Sequence, residues 1–211
     1  MRVVTLENSG QIYTSQVYLI LGESSHLEDV NTLVDTGQDA AILTSIRKAP
    51  TGVGKWPVEQ VVLTHNHSDH CALLPRILEA FHPKVLAFSP NTDGVSRVLR
   101  DGEFIKMGDE FFEVIHMPGH SSDSICLYNG TEGVLFAGDS PILIAHGAGA
   151  YEPGFLAAFE KLCARDVRII FFGHGPPLLE NCNQRVRESW KIAAGALRNE
   201  DKGAENGKTN R

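Results

Sequence analysis

The sequence predicts an α/β (α+β) protein whose β-sheets are covered on their outer faces by α-helices. Three observations predict it. Short apolar strands alternate singly with helical patterns in the first part of the chain, residues 103–137 then read as a run of hairpin-like strands, and an amphipathic helix closes the sequence. With 211 residues, 42% of them hydrophobic, the chain can bury one sizeable core. Residues 1–198 are expected to form one domain, and the polar stretch 199–211 a disordered tail.

Taken in order, VYLIL at 17–21 and VNTLV at 30–34 are strand-sized, apolar and rich in β-branched residues. Residues 38–48 carry a helical pattern that the breaker APTGVG ends. EQVVLT at 59–64 is a buried strand. Residues 71–81 form a helix provided that Pro75 falls in its first turn. KVLAF at 84–88 is a strand, and 90–99 a short helix. A hairpin turns at Met107-Gly108-Asp109 and is followed by the strands SICLY and GVLFAG. Residues 153–164 are helical and VRIIFF at 167–172 is a buried strand. Leu179, Val186, Trp190, Ala193 and Leu197 then make an apolar stripe at helical spacing over 178–198.

Composition narrows the function. The net charge is −7, with 26 acidic and 19 basic residues and no Lys/Arg cluster longer than two, so phosphate backbones and anionic lipid are poor partners. The first ten residues lack the apolar core of a secretory signal, and no run approaches a membrane span. Four scattered cysteines without a CxxC read as reduced thiols. A cytoplasmic protein acting on a small molecule is the expectation, with a homodimer as its possible assembly.

The chemistry begins at THNHSDH, residues 64–70. His65 and His67 are two apart in an extended segment, so both imidazoles project the same way and can reach one cation. Asp69 and His70 follow a tight turn and suit a second. Each cation then has only two ligands, too few for a zinc-like ion. The missing donors stand at strand ends downstream: His120 before SICLY, Asp139 after GVLFAG and His174 after VRIIFF. The count becomes His65, His67 and His120 for one metal, Asp69, His70 and His174 for the other, with Asp139 bridging. Any one of these histidines alone would be an ordinary surface or core residue. HxHxDH together with three strand-end donors is what argues for a site. Two divalent ions are expected, zinc first and iron or manganese next, since this donor set suits all three. Asp35, before Thr36-Gly37, reads from the residues alone as a cap for the following helix.

VDTG at 34–37, THNHSDH at 64–70, PGH at 118–120, AGDS at 137–140 and GHG at 173–175 resemble, in that order, the five motifs of the metallo-β-lactamase-fold superfamily. The resemblance spans about residues 15–180. It implies an αββα four-layer sandwich of two mixed sheets, with the metals in a groove along one edge. It also implies that Asp35 supports the metal loops rather than binding an ion. THNHSDH, PGHSSDSICLY and AGDS look most like hydroxyacylglutathione hydrolases (glyoxalase II type), although Ala72-Leu73 stands where that group usually has Gly-Gly. True β-lactamases of this fold typically carry Cys or Ser at the place of Asp139, which disfavours antibiotic hydrolysis. Quorum-signal lactonases share the ligand set.

The expected reaction is hydrolysis of a thioester, lactone or related ester by a metal-bridging hydroxide, with Asp69 as the catalytic group that orients it and takes its proton. The rival from another class is a mononuclear iron enzyme resembling persulfide dioxygenases; a scaffold without turnover is the remaining one. Residues 141–153 lie close to the metals along the chain, so His146 and Tyr151 are candidate substrate contacts. Cys71, next to His70, is expected to pack or to line the pocket rather than to attack.

Overall fold

The computed structural model describes residues 1–145 and 154–206. The first sheet has six strands in the order β1 (Arg2–Thr5), β2 (Tyr18–Leu21), β3 (Thr32–Val34), β4 (Gln60–Leu63), β5 (Lys84–Ala87) and β6 (Arg97–Val98). β1, β2 and β3 pair antiparallel and the remainder parallel. The second sheet joins β7 (Phe104–Met107), β8 (Glu110–His116), β9 (Ile125–Asn129), β10 (Val134–Gly138) and β11 (Ile169–Phe172), antiparallel except for the β10–β11 pair.

The period of two along each strand builds the layers. In β2, Leu19 and Leu21 pack outward on α1 (Ala41–Lys48) and α3 (Leu74–Phe81), whereas Tyr18 and Ile20 point at the other sheet. In β10, Val134 and Phe136 meet them from the opposite side. Leu135 and Ala137 face α4 (Phe155–Cys163) and α5 (Cys182–Asn206). Strands buried on both faces are mostly apolar, so β2, β4, β9 and β10 read as near-continuous apolar runs, with Gln60 and Asn129 as buried polar ends. The result is the αββα sandwich of two mixed sheets. No helix among the described residues is long and apolar enough to cross a membrane.

Several elements differ from the expectation. Residues 90–99 hold no helix: Gly94 at φ +90° breaks the segment, and the chain leaves it as the two-residue strand β6. β1 was not anticipated, being a short, half-buried edge strand. The expected helix 71–81 is two pieces, α2 (Ser68–Cys71) and α3, with Pro75 in the first turn of α3. The last helix starts at Cys182 rather than 178, because Leu178 exchanges both backbone hydrogen bonds with Ile170. Leu179 is accordingly exposed and outside the stripe, and the helix runs on past 198 to Asn206. All four cysteines are free thiols.

Candidate metal centre

Each donor stands where a strand ends. Asp35 follows β3, His65 follows β4, and His67 sits at the entry of α2, which carries Asp69 and His70. His120 lies between β8 and β9. The parallel pairing of β10 with β11 sets Gly138 beside Phe172, so Asp139 and the Gly173-His174 turn emerge side by side. Gly173 N–H donates to Gly138 O over 2.8 Å.

The structure brings all seven expected donors together. His65, His67 and His120 offer nitrogen atoms within 4.8 Å of one another, as do the donor atoms of Asp69, His70 and His174, and those of His65, His70 and Asp139. Asp139 lies between the groups. Its Oδ2 is 3.7 Å from His120 Nε2 and 3.5 Å from His174 Nε2, and its Oδ1 is 3.3 Å from His70 Nε2. One oxygen, Oδ2, thus faces an imidazole of each group.

Asp35 organises these donors without joining them. Buried, with φ +58°, it accepts the Thr64 N–H on Oδ1, and the Thr64 hydroxyl and His70 Nδ1–H on Oδ2, each at 2.8 Å. With its proton committed to Asp35, the Thr64 hydroxyl can only accept from His65 Nδ1 at 3.1 Å. Both imidazoles are thereby turned so that Nε2 is left for another partner. The amide that opens α1, Ala41 N–H, is taken by Asp39 and not by Asp35.

The fit to a cation can be judged from what these nitrogens lack. His65 Nε2 and His70 Nε2 are buried and make no hydrogen bond among the described residues, the 3.3 Å approach of His70 to Asp139 being poorly aligned for one. A buried polar atom without a partner costs about 1–3 kcal/mol, and a cation on these lone pairs would remove that cost. Burial opposes charge on His70, yet Asp35 and Asp139 outweigh it and lift its pKa to about 10. Burial drives His65 the other way, to about 4, and also lowers His120. Burial works to raise Asp139, but His70 prevails and keeps the carboxylate ionised. Without metal a proton on His70 is favoured, and cation uptake there must displace it. The donor set fits divalent metal ions.

Two neighbours were not foreseen. Thr64 relays Asp35 to His65, and Tyr13 stacks on His174 with centroids 4.9 Å apart and its hydroxyl 3.3 Å from Nε2. Cys71 Sγ points back to the carbonyls of Asn66 and His67, and the residue packs against the first sheet's core. His146 and Tyr151 lie outside the described residues.

With the fold and the donors in place, comparison with known proteins gives the class. The sequence model of the metallo-beta-lactamase superfamily matches residues 13–174, and the chain belongs to that superfamily. An atrochrysone carboxyl ACP thioesterase of Cryptosporiopsis is 27% identical over 146 residues, 68% of this chain and 45% of the relative. A hydroxyacylglutathione hydrolase of Klebsiella pneumoniae is 32% identical over 111 residues, 51% of this chain and 41% of the relative. The chain therefore spans less than half the length of these two relatives. Among solved structures, the BLEG-1 B3 metallo-beta-lactamase superposes with a TM-score of 0.65 at 22% identity, covering 89% of this chain and 98% of that one. That likeness concerns the fold.

Proposed function

We propose that the chain is a dinuclear metal-dependent hydrolase of small acyl compounds, either thioesters, lactones or related esters. The observation that carries this reading is the convergence of His65, His67 and His120 with Asp69, His70 and His174 about a shared Asp139, with two buried imidazole nitrogens left unpartnered among the described residues. His65, His67 and His120 would hold one ion and Asp69, His70 and His174 the other, with Asp139 serving both. A pair of divalent ions so held supplies a water-derived nucleophile at neutral pH, by lowering the pKa of water from about 15.7 toward 7, and a Lewis acid for the carbonyl.

The chain's own residues supply the remainder. Asp69 Oδ2, 3.0 Å from His174 Nε2 and 3.8 Å from His70 Nε2, is a carboxylate at the reaction centre. It can accept the proton released when water adds to the acyl carbon and return it to the departing thiolate or alkoxide. A cleft of about 440 Å³ opens beside His120, Asp139 and His174, and Pro141, Leu143 and Phe172 give it an apolar wall. That volume suits a small acyl compound. The relatives' names, a thioesterase and a hydroxyacylglutathione hydrolase, support acyl hydrolysis. The net charge of −7 supports a small molecule over a nucleic acid.

The test is a panel of aryl thioesters, alkyl thioesters and lactones given to the protein as purified. Hydrolysis is expected, abolished by a chelator and restored by added zinc, iron or manganese. A metal-loaded chain that hydrolyses none of them contradicts the reading. So does a single iron per chain with oxygen uptake on a persulfide, which would favour the dioxygenase-like alternative.

A further inference from the structure

Tyr13 leaves 72% of its surface in water, and its neighbour Ile12 leaves 50%, so neither residue serves the core. Tyr13 is nonetheless held in place. Its carbonyl accepts the Gln38 side-chain amide, and the next hydroxyl, Thr14 Oγ1, accepts Gln38 N–H at 3.0 Å. Ser15 N–H then donates to Asp69 O over 3.1 Å and Gln16 N–H to Gly173 O over 2.6 Å. The segment is thus tied both to α2 and to the Gly173-His174 turn, which carry the donors of the second group. Gly37 permits the approach, since a Cβ there would stand 2.7 Å from Thr14 Oγ1.

On this anchored segment the Tyr13 ring lies flat on His174, the planes 16° apart, with the hydroxyl at the Nε2 edge of the imidazole. Nε2 is the very atom that a cation would take. Without a cation that nitrogen donates its N–H to the Asp69 carboxylate 3.0 Å away, and with one it would hold the ion; in neither state can it accept from the phenol, whose O–H can turn to an oxygen that the substrate presents there. Tyr13 reaches the cleft's edge through His174, which lines it; Ser140 lines it too, but its hydroxyl is buried beside Cys126. We propose that Tyr13 is a catalytic residue whose hydroxyl donates a hydrogen bond to the acyl carbonyl oxygen as that oxygen gains negative charge. The proposal rests on the hydrolase reading above and assigns the protein's own oxyanion donor to the β1–β2 connection. A donor placed where charge develops stabilises the transition state more than the ground state, so its loss falls on kcat.

Tyr13→Phe keeps the stack and removes only the hydroxyl. For the metal-loaded variant, kcat is expected to fall about 100-fold with KM nearly constant and metal content unchanged. A binding measurement without turnover gives an independent readout. Calorimetric titration with phenylphosphonate, tetrahedral and anionic like the transition state, should lose about tenfold or more in affinity. Benzoate, planar like the product acid, should bind both forms alike. Equal kcat and equal phosphonate affinity in the two proteins would reduce Tyr13 to a packing ring and overturn the proposal. Loss of a metal ion from Tyr13→Phe would also overturn it, by making the hydroxyl a support for His174. If the unaltered protein hydrolyses no ester and binds phenylphosphonate no better than benzoate, the hydrolase reading falls and the proposal with it. Hydrolysis intact in both proteins overturns the proposal alone.

Discussion

Asp35→Ala is expected to destabilise the protein by about 3–5 kcal/mol, the scale for removing one partner of a buried charged pair. Three donors lose their acceptor at once: Thr64 N–H, the Thr64 hydroxyl and His70 Nδ1–H. The backbone adds to the penalty. Residue 35 sits at φ +58°, a region that Asp and Asn visit more readily than Ala. For a chain of this size the loss corresponds to a fall in Tm of about 10 °C or more. Metal affinity should fall a further 10–100-fold, about the effect of deleting a carboxylate that orients ligand imidazoles. Thermal unfolding of loaded and chelator-treated protein, with a zinc titration, measures both. Asp35→Asn should be milder, because its amide oxygen still accepts. An Asp35→Ala protein that keeps its Tm and binds zinc normally would show that Asp35 does not organise the centre.

Gly173→Ala separates the centre from the fold. A Cβ at this position would stand 2.1 Å from Asp139 Oδ1 and 2.6 Å from His70 Cε1. Both clashing groups are side chains and can move aside, so the sheets should survive with a modest loss of Tm. Moving aside is the damage, because it displaces the shared carboxylate and one imidazole together. Zinc affinity is expected to drop by about 100-fold or more, and hydrolysis with it. Equilibrium dialysis of a folded Gly173→Ala protein against zinc decides the matter. Native affinity would mean that Asp139 and His70 are not jointly required.

These two variants also show what the sequence discloses and what it hides. The donors were legible because each sits at the end of an apolar run, and strand ends are a local pattern. Their grouping was legible from the spacing of THNHSDH. β1 was hidden because an edge strand half-open to water lacks the continuous apolar signature of β4 or β10. The helix expected over 90–99 failed on Gly94, and the start of the last helix on Leu178, which a distant strand claims. The tilt of Asp139 Oδ2 toward both groups depends on the β10–β11 register and on Gly173, which spacing along the chain does not encode. Tyr13 was out of reach for the same reason. It meets His174 from 161 positions away, in a segment with no strand or helix pattern of its own.

The central claim is that two cations share Asp139. Crystals grown with zinc and measured at its absorption edge test it most directly. The account predicts two anomalous peaks per chain, one among His65, His67 and His120 and one among Asp69, His70 and His174, with the Asp139 carboxylate against both. A single peak, or peaks that leave Asp139 unbound, would contradict it.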